Sequence, residues 1–203
     1  MNLVCSDLEG VFVPEIWINV ALKTGIEELK LTTRDISDYT VLMKKRLGIL
    51  NREGLTLTDI TDVIATIDPL DGAVDFLDSL RGQTQVIIVS DTFEQFAGPL
   101  MKKLGMPTLF CHSLVVDADN RITDYQLRQP DAKKKTVEAL KSLNYRITAF
   151  GDSYNDIGML KAAHTGILFS PPDNVIADHP EFPVTRDYAD LKTRVEASLT
   201  QAG

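Results

Sequence analysis

Short runs rich in Val, Ile and Phe alternate along this chain with stretches whose apolar residues recur every three or four positions. Such alternation predicts βαβ units and a parallel sheet. Strands are predicted over residues 2–6, 84–90, 108–111, 146–150 and 165–169. Val86-Ile87-Ile88-Val89 is the clearest, a continuous apolar run of the kind a strand buried on both faces requires. Helices are predicted over 72–80, 93–104, 132–143 and 154–163, the first with Val74, Phe76, Leu77 and Leu80 toward one face.

Between residues 13 and 70 the alternation stops. Pro14 suits the opening of a helix, and three helix-like stretches follow at 14–23, 38–51 and 58–67, with no strand between them. Asp68-Pro69 marks a boundary, since a residue before proline is steered out of the helical region. The pattern therefore predicts an α/β fold: a Rossmann-like, doubly wound parallel sheet over 1–12 and 71–203, with a helical cap over 13–70 inserted after the first strand. The ends of the insertion are expected to meet at the C-terminal edge of the sheet, where ligands bind in open α/β folds. Leu114-Val115-Val116, the polar Asp117-Ala118-Asp119-Asn120 and then 121–127 read as a short β-hairpin.

Composition narrows the class only slightly. At 203 residues, with 44% hydrophobic and 25% charged residues, the chain can build one sizeable core. A net charge of −8 argues against nucleic acid as a partner, because a phosphate backbone must be met by Lys and Arg. Cys5 and Cys111 both lie in apolar runs and are expected as buried thiols in a reducing compartment. No apolar stretch approaches the roughly 20 residues of a membrane span, and the N-terminus enters a strand without a basic leader, so no membrane association and a cytoplasmic location are expected.

The candidate chemistry sits where the predicted strands end. Asp7 and Glu9 follow the first strand in Asp7-Leu8-Glu9-Gly10, and a carboxylate pair there suits a nucleophile beside an acid–base group. Ser90 ends the strongest strand, followed by Asp91-Thr92-Phe93-Glu94-Gln95; Thr92 and Gln95 fit a capping box. A helix start there would offer N–H groups to a phosphate with the Ser90 hydroxyl beside them, although Ser90 equally suits a plain turn. Asp131-Ala132-Lys133-Lys134-Lys135 opens a further helix, and spacing alone does not choose which lysine faces inward. Gly151-Asp152-Ser153-Tyr154-Asn155-Asp156 places Asp152 at a strand end, able to join Asp7 around a hard divalent cation. Ser153 and Asp156 fit a second capping box. The histidines at 112, 164 and 179 lack metal-ligand spacing and are expected to be ordinary.

In this order the four segments resemble the haloacid dehalogenase superfamily of phosphotransferases, and within it the phosphoserine phosphatases. Asp131-Ala132-Lys133 before an amphipathic helix matches their third motif, which selects Lys133. The resemblance implies an aspartyl-phosphate on Asp7, Glu9 as acid and base, and Mg²⁺ at Asp7, Glu9 (through its backbone carbonyl) and Asp152. It implies Ser90, Asp91, Lys133 and Asn155 around the phosphoryl group and substrate, with Asp156 supporting the metal shell. Glu15 and Arg46 fall where the family's cap glutamate and arginine meet the ammonium and carboxylate of phosphoserine. Glu9-Gly10-Val11 departs from the usual second aspartate followed by Gly-Thr or Ser-Thr. It is similar to a bifunctional variant that also passes the phosphoryl group from phosphoserine to homoserine, an activity of serine and threonine biosynthesis. Another small phosphate ester, a receiver-like signalling domain and a silent binding relative are the competing readings.

Overall fold

Residues 1–32, 35–36 and 39–200 are described by the structure, a computed structural model. Its centre is β1 (Asn2–Ser6), paired in parallel with β2 (Gln85–Phe93) on one side and β5 (Arg146–Gly151) on the other. Beyond β2 lie β3 (Thr108–Val116) and, antiparallel to it, β4 (Ile122–Gln126). Beyond β5 lie β6 (Thr165–Phe169) and the short β7 (Val184–Thr185). The sheet order is thus β4-β3-β2-β1-β5-β6-β7. The chain winds outward from β1 on one side and then restarts at β5 on the other, so the crevice at the ends of β1 and β5 is the switch point where open α/β sheets take ligands.

Alternating side chains divide the interior into two layers. Val4, Ile88 and Phe150 face one core, together with helices α4 (Ala73–Arg81), α5 (Glu94–Lys103) and α9 (Tyr188–Thr200). Leu3, Cys5, Ile87, Val89 and Ala149 face the other, covered by α6 (Ala132–Ser142), α7 (Ile157–Ala162) and Val175 of α8 (Asp173–Asp178). Both cysteines are free and buried, as the sequence implied. Among the described residues no helix is long and apolar enough to cross a membrane.

Between β1 and β2 the chain forms α1 (Ile16–Thr24), a 3₁₀ turn at Glu27–Lys30, α2 (Tyr39–Glu53) and α3 (Leu57–Ala65). Asp38, the expected first residue of the second helical stretch, lies outside the described residues. Thr56 and Asp59 close a full capping box at the start of α3. The two ends of the segment are adjacent: the Leu70 N–H donates to the Phe12 carbonyl at 2.9 Å.

Three expectations need correction. β2 does not end at Ser90 but reaches Phe93, with its pairing to β3 interrupted between Val89 and Phe93. The Thr92–Gln95 capping box does not form, and α5 begins at Glu94. Gln95 instead spends its amide on β3, accepting the Leu114 N–H at 2.9 Å and donating to the Leu114 carbonyl at 3.0 Å, which leaves nothing to fold back on residue 92. Finally, the strand at 108–111 and the first arm of the hairpin are one element, β3, parallel to β2 in its first half and antiparallel to β4 in its second.

Candidate active site

Asp7 prolongs β1 by one residue, its N–H donating to the Phe150 carbonyl at 3.1 Å. Its carboxylate is buried and fixed at both oxygens: Oδ1 accepts the Leu8 N–H at 2.7 Å, and Oδ2 lies 2.9 Å from Lys133 Nζ. The chain then turns sharply, with the Phe12 and Val13 N–H groups both donating to the Leu8 carbonyl. Gly10 makes that turn at φ +72°, and a Cβ there would lie 2.6 Å from the carboxyl carbon of Asp152. Glycine is needed for its backbone angle and for the space it leaves to that carboxylate.

Asp152 follows β5 in the same way. Asp156, fully buried beneath it, accepts the N–H groups of Asp152 at 3.0 Å and Ser153 at 3.1 Å on Oδ2, so the expected Asp156 cap on Ser153 forms. Its Oδ1 receives Lys133 at 2.8 Å. Lys133 is buried on the first turn of α6, while Lys134 and Lys135 are exposed. That settles the choice among the three lysines by burial. Although burial opposes its charge, Asp156, Asp7 and Asp91 hold the Lys133 ammonium well above its usual range.

Asp7, Asp152 and Asp156 each bring a carboxylate oxygen within 4.8 Å of the other two. One ammonium does not balance three carboxylates. Burial and the neighbouring acids accordingly raise Asp7 well above the usual range and push Asp152 up to about 7. An all-oxygen, net-negative set of this kind fits a hard divalent cation such as Mg²⁺, with Asp7 and Asp152 as direct candidates. The Glu9 side chain stands apart from that set: its Oε2 accepts the Ile16 N–H at 2.7 Å. Burial, then the Glu15 charge, push Glu9 up to about 7.

The third side of the site is the interrupted stretch of β2. Ser90 Oγ accepts the Thr92 N–H at 3.1 Å. Asp91 Oδ2 accepts Asn155 Nδ2 at 2.9 Å and lies 3.9 Å from Lys133 Nζ. Burial alone would raise this carboxyl, but Lys133, His112 and Asn155 outweigh it and hold Asp91 well below the usual range.

The inserted helices supply the roof. Glu15 precedes α1, and Arg46 of α2 is buried with its guanidinium 4.6 Å above the Trp17 ring. Arg46 Nη2 donates to the Leu31 carbonyl at 2.9 Å, whereas its buried Nε has no partner among the described residues. Burial lowers this guanidinium to about 10. A cavity of about 810 Å³ is lined by Asp7, Glu9, Glu15, Arg46, Ser90, Asp91, Lys133, Asp152 and Asn155, so nine of the anticipated residues meet in one place. The tenth, Asp156, lies under its floor. Val11 is packed into the core and lines no part of it, so of the two departures in Glu9-Gly10-Val11 only Glu9 faces the cavity.

Sequence reasoning missed Trp17, Tyr39 and His112, which also line it. His112, expected to be ordinary, is buried with Nε2 3.5 Å from Asp91 Oδ1. A strand read through Cys111 instead of stopping there would have carried His112 to the same sheet edge. The arrangement sets an ammonium and hydroxyl and amide donors opposite a buried carboxylate, the equipment needed to hold a phosphoryl group against an oxygen nucleophile.

Comparison with known proteins agrees with this geometry. Residues 3–164 match the haloacid dehalogenase-like hydrolases. Phosphoserine phosphatase ThrH of Pseudomonas aeruginosa is 59% identical over 192 residues, covering 95% of this chain and 94% of its own. A phosphoserine phosphatase of Pseudomonas syringae pv. tomato is 58% identical over 192 residues, covering 95% and 81%. Among solved structures, an apo phosphoserine phosphatase superposes with a TM-score of 0.77 at 24% identity, covering 95% of this chain and 98% of its own, which establishes the likeness of fold. The chain belongs to the haloacid dehalogenase-like hydrolases.

Proposed function

We propose that this enzyme is a Mg²⁺-dependent phosphoserine phosphatase that works through an aspartyl-phosphate on Asp7 and also passes the phosphoryl group to homoserine. The observation that carries the amino-acid part is the buried Nε of Arg46, unpartnered among the described residues. A buried guanidinium N–H without an acceptor is costly, and a substrate carboxylate is the acceptor that fits its planar fork. Glu15, on the same wall, suits the substrate ammonium. The names of the two Pseudomonas relatives support the same substrate.

The chemistry balances as two half-reactions. Asp7 attacks phosphorus as the bond to the serine oxygen breaks, and Glu9 gives that oxygen its proton. Glu9 then takes a proton from water or from the homoserine hydroxyl, whose oxygen attacks phosphorus and releases Asp7. Lys133, Ser90, Asn155 and the backbone of Asp91 hold the phosphoryl group and substrate in place, and Asp156 positions Lys133 and the backbone of Asp152. Mg²⁺, held by Asp7, Asp152 and the Glu9 carbonyl, would supply positive charge beside the phosphoryl oxygens. Residues 13–70 serve as the cap that shuts water out, and the roles of alcohol and water differ only in the second half-reaction. Glu9 gives the transfer reading its support, because it replaces the usual aspartate and faces the cavity. The two free thiols suit a cytoplasmic setting.

The test supplies phosphoserine with and without homoserine and follows orthophosphate and phosphohomoserine by ³¹P NMR. Both products are expected when homoserine is present. Orthophosphate alone in both tubes removes the transfer activity. No product from phosphoserine in either tube, with turnover of another small phosphate ester, removes the substrate assignment.

A further inference from the structure

We infer that His112 is a positioning residue that tethers Asp91 and so keeps the Lys133 ammonium available to the phosphoryl group; the inference rests on the phosphoryl-transfer reading above. His112 takes no part in the chemistry already described, yet it is buried and turned toward the site. Its Nδ1 accepts the Arg128 N–H at 3.2 Å. An imidazole that accepts on one nitrogen carries its hydrogen on the other, so Nε2 presents an N–H to Asp91 Oδ1, 3.5 Å away. Arg128 is itself anchored, its Nε donating to the Cys111 carbonyl at 2.9 Å, which keeps the supporting N–H in place.

Asp91 is then restrained on three sides. His112 faces one carboxylate oxygen, Asn155 donates to the other, and Tyr39 of α2 donates its hydroxyl to the Asp91 carbonyl at 3.2 Å. Held this way, the carboxylate stops 3.9 Å from Lys133 Nζ, while Asp7 and Asp156 take that ammonium at 2.9 and 2.8 Å. An ammonium has three hydrogens. Two are committed to Asp7 and Asp156, and the third is the one a phosphoryl oxygen needs. A carboxylate released from His112 would close on that hydrogen and compete with the phosphoryl group for it.

The competition can be measured without turnover. Orthophosphate binding to the magnesium-loaded enzyme is followed by calorimetry for wild type, His112→Met, Asp91→Asn and the double variant, with phosphoserine KM and kcat alongside. His112→Met should weaken orthophosphate binding and raise KM by roughly tenfold, the size of a contact to a charged group, with a smaller change in kcat. In the Asp91→Asn background the same substitution should change binding by less than about twofold, because a neutral amide does not compete for the ammonium. His112→Gln, which restores a donor, should recover binding. Equal losses with and without Asp91→Asn would reduce His112 to a packing residue and overturn the inference, as would no loss in His112→Met. Should His112→Met fail to fold, His112→Asn, too short to reach Asp91, runs the same cycle with the same expectations. Wild-type enzyme that binds orthophosphate but leaves phosphoserine intact would sink the substrate assignment and leave the tether standing. Wild-type enzyme that binds no orthophosphate would remove Lys133 as a phosphoryl contact and the tether with it.

Discussion

Glu9 accepts a hydrogen bond from the Ile16 N–H at 2.7 Å, which ties the proposed acid–base side chain to the first turn of α1. That N–H is one of the donors a helix leaves unsatisfied at its start, and it favours the charged carboxylate. Burial and the Glu15 charge favour the neutral one, and the balance lies at about 7. A carboxyl balanced there suits the proposed role, giving a proton in one half-reaction and taking it in the next. Its setting is furnished by the inserted segment, so that segment and the proposed acid–base group form one unit.

Removal of the proposed nucleophile is the first test of the covalent route. Asp7→Asn should lower turnover by more than about three orders of magnitude and leave no acid-stable label on the protein after incubation with ³²P-phosphoserine. A variant that keeps a near-normal rate would take Asp7 out of this role.

In the proposed function Arg46 serves recognition of the amino acid and not of the phosphate. Arg46→Ala should cut kcat/KM for phosphoserine by roughly a hundredfold, the scale of one lost charge-assisted fork, and affect p-nitrophenyl phosphate far less. Equal losses on both substrates, measured side by side, would show that Arg46 only supports the packing around Trp17.

Gly10 should not tolerate a side chain. Gly10→Ala meets both a left-handed backbone and the Asp152 carboxylate, so the melting temperature should drop by roughly 3–8 °C. Because the displaced group is a proposed metal ligand, titration should also show Mg²⁺ affinity weakened by at least about tenfold. Unchanged metal affinity would separate the turn from the acidic cluster.

Stability should depend on pH and on metal together. Glu9 and Asp152 both titrate at about 7 when folded, against ordinary values of 4.5 and 3.8. An acid raised on folding binds more protons in the folded state, so stability is present at low pH and is lost as pH climbs through that interval. Lys133, raised, and Asp91, lowered, keep constant charge across the same window and leave the sign unchanged. The metal-free protein should therefore melt at a lower temperature near pH 7.5 than near pH 5, and Mg²⁺ should raise the melting temperature more at the higher pH. EDTA should remove both that gain and the activity; a magnesium shift of the same size at both pH values would count against metal binding at this cluster.

The sheet was largely legible because buried strands leave continuous apolar runs: β1 and β6 fall where the pattern puts them. Strand ends were less so. Ser90-Asp91-Thr92 reads as the start of a helix, and only Gln95 reaching across to Leu114 shows why β2 runs on. The final helix α9 left only a weak signal, since its apolar stripe is the short run Leu191, Val195 and Leu199 and its anchor, Tyr188, stacks between Phe76 and Phe169 from distant parts of the chain. The strand-end acids were visible as motifs, whereas His112 depends on partners 16 and 21 residues away whose proximity no local pattern encodes.

The hydrogen bond from Leu70 to Phe12 has a consequence for how such enzymes diversify. The chain leaves and re-enters the sheet side by side at this contact, so the intervening segment forms a closed loop. That loop is further moored to the core where the Leu57 N–H donates to the Asn120 carbonyl and Lys103 donates to the Ala65 and Ile67 carbonyls. Loop closure grows only slowly more costly with length, about 0.6 kcal/mol per doubling. The length of the segment can therefore change at little cost, provided that the Ile16 N–H and the Tyr39 hydroxyl, which hold Glu9 and Asp91 from the inserted side, stay in place.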